Sequence, residues 1–341
     1  MNNSNFKICS KVIGEGSTYF VIEEGQANLG DFDKALEMVE IASKTGANAI
    51  EFQLAKAQDF YIKSHKGYQI YKEREFSDSQ LLDLVYFTRE KNLDLIVSPL
   101  TSKMIGQMVN NGCSAFNINA SDLNNPETLD IVASCGLPFF LSLLFAKEEE
   151  IEWAVNRIMQ SGSPEFGLLL GQHTMASGEH GVDLNHTNLG YINTLKKKYN
   201  VPVGFIDHSA NIWSPAIAVA AGADIITKHL AISRATNGPD WHVCLEPKEM
   251  SETIRIVKEV DQSLAAVNKT LAPGENMDRS IMRRSIVANG KIEKGQVIRR
   301  EDITFKRPGS GISPAEVDSI IGKKAILVIE EDQLISYTDF Q

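Results

Sequence analysis

Cysteine is scarce: the chain holds four, Cys9, Cys113, Cys135 and Cys244, and no two of them stand in C-x-x-C spacing. That excludes a disulfide framework or a zinc knuckle and predicts a reducing, cytoplasmic setting. Long apolar runs are missing as well, since nothing approaches the ~18–20 consecutive apolar residues of a membrane-spanning helix. Met1–Ser10 lacks the basic-then-apolar order of a signal peptide. Positive charge is in deficit, with 34 Lys and Arg against 44 Asp and Glu and a formal net charge of −10. A nucleic-acid partner, which needs a basic face, is therefore not expected. The chain also has no internal repeat and no low-complexity segment.

What is present is regular alternation. Short β-rich runs, Tyr19–Glu24, Asn48–Gln53, Asp94–Ser98, Ala115–Asn119, Pro138–Ser142, Phe166–Leu170, Pro202–Ile206 and Asp224–His229, are separated by stretches with helical periodicity. In Lys34–Lys44, for example, Ala35, Met38, Val39 and Ala42 fall on one face. Gly46, Gly112 and Gly222 each stand just before a strand, the position of a helix C-cap. Eight strand–helix units in about 250 residues predict an α/β fold of the TIM (β/α)8 barrel type. An open doubly wound sheet is disfavoured because no G-x-G-x-x-G turn follows the first strand. The pattern changes near Asn268. Residues 269–281 carry a Pro-Gly pair and read as a linker, and 282–341 read as a small β-rich module with strands at Arg284–Ala288, Gln296–Ile298, Ile303–Lys306 and Ala325–Ile329.

In a TIM barrel the functional site lies at the C-terminal ends of the strands. Those ends are polar throughout: Glu23 and Glu24, Glu51 and Gln53, Ser98, Asn117 and Asn119, Ser142, His173, Asp207 and His208, Lys228 and His229. Strand ends are commonly wet, so any one of these residues is also explained by exposure; the complete ring points to a site. His208 and His229 close neighbouring strands, near enough either to share a divalent metal or simply to hydrogen-bond. Asp207 is placed to hold its neighbour's tautomer or to serve as a second ligand. Asp240 follows a Gly-Pro turn that can aim its carboxylate at the mouth, although such a segment is also ordinary turn chemistry. Arg307, on the rigid turn Lys306-Arg-Pro-Gly309, offers a guanidinium suited to carboxylates or phosphates. His65, His173, His180, His186 and His242 fall in loops, where a solvated imidazole is the default.

Taken together, these segments resemble the sialic acid (N-acetylneuraminate) synthase family over nearly the whole chain. The resemblance is carried by Glu23-Glu-Gly-Gln-Ala-Asn-Leu-Gly-Asp31, Phe52-Gln53, Val203-Gly-Phe-Ile-Asp-His208 and Lys228-His229. It continues in Gly238-Pro-Asp240, Leu245-Glu-Pro247, Lys306-Arg-Pro-Gly309 and Gly311-Ile-Ser-Pro314. It implies a TIM barrel followed by a small C-terminal β-clip antifreeze-like (SAF) domain. It also implies an aldol-type condensation of phosphoenolpyruvate with an N-acyl amino-sugar aldehyde to a nonulosonic (sialic-type) sugar acid. By the same resemblance, His208 and His229 hold Mn2+ or Mg2+, and Glu23 and Asp207 complete the catalytic set. Glu51, Gln53, Asn117, Asp122, Ser142, Asp240 and Arg307 surround the substrates, with Arg307 reaching in from the cap of a domain-swapped homodimer.

The departures fall on one side of the expected site. Where the family has Lys-Phe-Gln the chain has Glu51-Phe52-Gln53, and a second family lysine is replaced by Asn117. Ala120 and Ile206 stand where the family has serines, and Ser142-Leu143-Leu144-Phe145 replaces Ser-Thr-Gly-Met. Glu23, Gln53, Ser142, both histidines, Asp240 and Arg307 are retained. Two alternatives stay open: a divergent paralogue that keeps the sugar and metal site but uses another donor or reaction, and a non-catalytic sugar-binding protein. A cap of roughly 60 residues has too little core to stand alone comfortably. Light scattering at micromolar concentration is expected to return the mass of a dimer, and a monomeric mass would end the domain-swap expectation.

Overall fold

The computed structural model describes residues 5–161, 165–173 and 181–341, so His180 lies outside the described residues. Two compact units divide the chain, Met1–Ala266 and Val267–Gln341. The first opens with a hairpin, β1 (Phe6–Ile8) and β2 (Lys11–Ile13). Eight parallel strands follow: β3 (Tyr19–Glu23), β4 (Ala49–Leu54), β5 (Asp94–Pro99), β6 (Ala115–Ile118), β7 (Phe139–Ser142), β8 (Phe166–Gly171), β9 (Val203–Asp207) and β10 (Ile225–His229). They close into a barrel in the order β10-β3-β4-β5-β6-β7-β8-β9. Every strand end agrees with the sequence reading to within one residue.

Local chemistry explains where the helices begin and end. The helix Phe32–Thr45 starts at Asp31, whose carboxylate accepts from the Lys34 amide, and stops at left-handed Gly46. Ser77 and Gln80 form a reciprocal capping box for Asp78–Glu90. The helices bury apolar stripes such as Ala35, Met38, Val39 and Ala42 against the outer face of the sheet. The hairpin was not visible as a plug in the sequence. Phe6, Ile8 and Ile13 pack with the inward-facing Val21, Ala49, Ile96, Ala115, Phe140 and Ile225, closing the N-terminal end of the barrel.

Side chains alternate across each strand, so residues two positions beyond this apolar plug also face inward. Four side chains from alternate strands share a layer in such a barrel. The register therefore puts Glu51, Asn117, Leu169 and Thr227 in one layer and Glu23, Ser98, Ser142 and Ile206 in the next. Above them, Gln53, Gly171 and His229 open onto the C-terminal face. The interior thus changes from apolar to polar within one step along six of the eight strands, while Leu169 and Ile206 keep β8 and β9 apolar there.

The second unit differs from the sequence reading in two respects. The stretch 269–281 carries most of a helix, Glu275–Met282, whose Ser280 carbonyl accepts from the Gly309 amide at 2.8 Å. Of the four strands read there, β11 (Ser285–Ala288) and β12 (Ile303–Lys306) pair antiparallel, while Val297 and Ala325 make only isolated bridges, to Lys324 and Phe340. Turns every few residues leave those segments too short for ladders. Ten buried apolar residues, among them Ile286, Ile298 and Ile335, form this unit's own core. Arg307 is exposed on it, preceding Pro308.

Phe140 is fully buried in the plug, its ring centroid 6.2 Å from Phe6 and 6.4 Å from Tyr19. Phe140→Ala is expected to cost about 3–5 kcal/mol in urea unfolding. A loss below about 1 kcal/mol would show that the plug is not packed.

Candidate functional site

Three of the eight strands converge on the two histidines. His208 follows β9 and His229 ends β10; both are buried, with their Nε2 atoms 3.2 Å apart. The imidazoles meet at a steep angle, with ring centroids 4.9 Å apart. Glu23, at the end of β3, places Oε2 3.7 Å from His229 Nε2 and accepts at Oε1 from Gln53 Nε2 at 2.8 Å. Gln53 is held in turn: its carbonyl accepts from Gln26 Nε2. His173 joins the cluster, its ring centroid 4.7 Å from that of His208 and its Nε2 3.8 Å from Asp240 Oδ1. The sequence reading counts His173 among the polar strand ends while giving a solvated loop imidazole as its default; the structure sets its ring against His208. The His173 imidazole holds the Asp240 carboxyl down to about 2, outweighing burial. Burial first, and then the facing rings of His229 and His173, push His208 well below its ordinary range.

Imidazoles whose Nε2 atoms face each other are chemically suited to a divalent cation. Metal–nitrogen bonds of about 2.1 Å at a right or tetrahedral angle hold two ligand nitrogens about 3.0–3.4 Å apart, which brackets the observed spacing. Among the described residues no group of three or more His, Cys, Asp and Glu is arranged to hold a metal. The residues therefore fit a cation only as a two-histidine pair, with its other positions left to water or substrate and Glu23 beside it. Gly25 is required here. At φ +54°, a Cβ on it would lie 2.6 Å from His229 Nδ1, so any side chain would drive the ring away.

Asp207 does not do what the sequence reading assigned to it. It faces the helix layer, where Lys228 Nζ donates to Oδ2 at 2.7 Å and Ser209 Oγ to Oδ1 at 2.7 Å, with Ser214 Oγ donating as well. It neither orients His208 nor lines the mouth, because alternation turns residue 207 outward when 208 turns inward. Lys228 also donates to the Ser209 carbonyl, and its side chain is fully buried. Burial lowers the Lys228 ammonium and Asp207 opposes that shift. This outer ion pair clamps β9 to β10 immediately behind the two histidines.

Asp122 is likewise structural. Its carboxylate accepts from Asn125 Nδ2 at 2.6 Å, Thr128 Oγ1 at 3.0 Å and Ser121 Oγ at 3.2 Å, tying down the start of the helix Pro126–Ser134. Glu24, next to Glu23, also points outward. It accepts from Asn28 Nδ2 at 2.7 Å, and burial raises it to about 7. Glu51, Asn117 and Ser142 do face inward. Glu51 Oε1 accepts from Asn117 Nδ2 at 2.8 Å, and burial, then Glu23, push the Glu51 carboxyl well above the carboxylate range.

The NeuB family description matches residues 38–269 and the SAF domain description residues 283–341. An uncharacterized protein of Methanocaldococcus jannaschii is 34% identical over 98% of both chains. An N,N'-diacetyllegionaminic acid synthase of Campylobacter jejuni is 27% identical over 93% of this chain and 98% of its own. The crystal structure of an N-acetylneuraminic acid synthetase from Leptospira borgpetersenii, in complex with citrate, is 28% identical with a TM-score of 0.73, covering 81% of this chain and 95% of that one.

Removing one member of a buried ion pair strands the other. Lys228→Met is expected to cost about 3–5 kcal/mol, and Asp207→Leu combined with Lys228→Met less than that single change. Chemical denaturation measures both. A single variant within about 1 kcal/mol of wild type would remove the clamp from the account.

Proposed function

Because this chain belongs to the NeuB family, we propose that it is a metal-assisted condensing enzyme that joins an N-acyl amino-sugar aldehyde to a three-carbon acid, giving a nonulosonic-type sugar acid. The facing imidazoles of His208 and His229 carry the reading. They would hold Mn2+ or Mg2+, which when bound supplies Lewis acidity toward a carbonyl oxygen. Glu23, oriented by Gln53, stands where it can accept a proton or position a water beside that centre. Gln53 and Asp240 present acceptors and donors for sugar hydroxyls, with His173 fixing the Asp240 carboxylate as an anion. In this reading two copies exchange their C-terminal modules in the cytoplasm, and Arg307 of one copy serves the mouth of the other.

Calorimetric titration with Mn2+ tests the assignment. Wild type is expected to bind one ion per chain and His208→Ala none; unchanged affinity in the variant would put the metal elsewhere.

A second reading, in which the donor is not phosphoenolpyruvate, is favoured by Glu51 and Asn117. Phosphoenolpyruvate carries about three negative charges, and burying them calls for cations or many donors. None of the inward-facing strand residues at these levels is Lys or Arg. With Mn2+ and N-acetylmannosamine, phosphate release from phosphoenolpyruvate is expected to fall far below the common enzymatic range of about 1–1,000 per second. Glu51→Lys with Asn117→Lys should tighten phosphoenolpyruvate binding, and an unaltered affinity would misplace the pocket.

A further inference from the structure

A cleft of about 790 Å3 lies beside the histidines, between the first turns of the helices Glu148–Gln160 and Tyr191–Tyr199. A volume of that order takes a whole substituent or small molecule, not merely a water. Its inner wall is apolar: Leu143, Ile151 and Leu170 are buried there, with Ala146 beside them. Gly171, which opens onto the C-terminal face of the barrel, lines it too, so cleft and mouth adjoin.

Phe145 stands at the junction. It lines the cleft, and its ring centroid lies 5.4 Å from that of His173, which in turn meets His208 at 4.7 Å. Phe145 is 68% exposed, and its backbone sits at φ +62°. A left-handed backbone is unfavourable for a bulky residue, and such strain clusters at active sites and ligand clamps. An aromatic ring held in the open by a strained backbone adds nothing to the core. It gains its burial only when an apolar group covers it.

Charge narrows the choice of occupant. Glu148 is the one charged group among the described lining residues, and Lys198 Nζ reaches its Oε1 at 3.5 Å. With no lysine or arginine among those residues, a phosphate or carboxylate would go unneutralised. Gln172 and Asn188 offer amides, and Tyr191 and Thr194 hydroxyls, as neutral donors and acceptors. Apolar walls with neutral polar groups beside them match a hydrocarbon chain carried on an amide.

We infer that this cleft takes the acyl chain of the amino-sugar substrate, and that this chain is longer than acetyl. The inference rests on the condensing reading above and specifies the sugar for it. In a 2-acylamino aldose the amide nitrogen is bonded to the carbon next to the aldehyde. An aldehyde oxygen directed at His208 and His229 therefore keeps the acyl group at the same part of the mouth. The rings of His173 and then Phe145 lie between that point and the cleft. An acetyl group ends before Phe145, whereas a linear chain of several carbons passes it and lies against Leu143, Ile151 and Leu170. Phe145 is thus a specificity-determining residue, covering the chain without touching the reacting carbons.

Saturation transfer to the acyl protons of N-hexanoylmannosamine and of N-acetylmannosamine, with Mg2+-loaded full-length protein, tests the inference. Wild type is expected to bind the hexanoyl sugar about tenfold or more tightly than the acetyl sugar, because each methylene moved from water onto an apolar wall adds affinity. Thr194→Trp fills the cleft from an exposed helix position. Phe145→Gly deletes the ring and suits the left-handed backbone, so both variants are expected to stay folded. Each should cut the preference to about twofold or less. Equal affinity of wild type for the two sugars, or full preference retained in Thr194→Trp, overturns the inference and leaves the condensing reading standing. Failure of both sugars to bind overturns the two together.

Discussion

A lysine with no exposed side-chain surface must keep its counter-charge, and this obligation organises the site. Lys228 and Asp207 lie on the outer face of adjacent strands, each one residue from a histidine that alternation turns inward. While the pair holds, β9 and β10 keep their register, and the two imidazoles meet at 3.2 Å instead of splaying apart. Ser209 and Ser214 satisfy the remaining carboxylate positions, so the Asp207 charge of this pair is not left half-paired. The sequence pairs Asp-His and Lys-His therefore each divide their work between fastening and function.

The same division recurs around the mouth. Glu23 faces the histidines while Glu24, its neighbour, secures Asn28 on the other side of the sheet. Gly25 then supplies the clearance that His229 needs. The upper interior is polar and specific, the lower interior apolar and sealed, and Glu51 and Asn117 sit at the boundary between them. Residues on the histidine side match the family motifs, whereas those at the boundary depart from them. The rim keeps the residue types of the resemblance, and the floor departs from them in charge.

Much of this was legible in the chain. Eight parallel strands were found to within one residue because buried strands bounded by turn residues leave a clear pattern. The facing of Glu51, Asn117 and the histidines followed from period-two alternation. Other features were hidden for definite reasons. Asp207 looked catalytic because adjacency in sequence suggests adjacency in space, whereas on a strand it means opposite faces. Asp122 looked like a ligand-binding carboxylate, but its partners Asn125 and Thr128 sit in the turn that follows, where capping takes precedence. His173 stood among the polar strand ends, but its default as a solvated loop imidazole gives way where β8 pairs with β9 and its ring meets His208. The hairpin plug needed the closed barrel, since Phe6 and Phe140 are far apart in the chain and meet only through the ring of strands.

In the proposed metal centre, the clamped imidazoles of His208 and His229 would form one two-nitrogen site open to exogenous ligands. Electron spin-echo envelope modulation of Mn2+ bound to the protein tests it most directly, because directly bound imidazole nitrogens modulate the echo. The account predicts coupling to two imidazole nitrogens and to exchangeable water deuterons, reduced to one nitrogen or lost altogether in Lys228→Met. Coupling to no histidine nitrogen, or a fully protein-coordinated ion without exchangeable water, would contradict it.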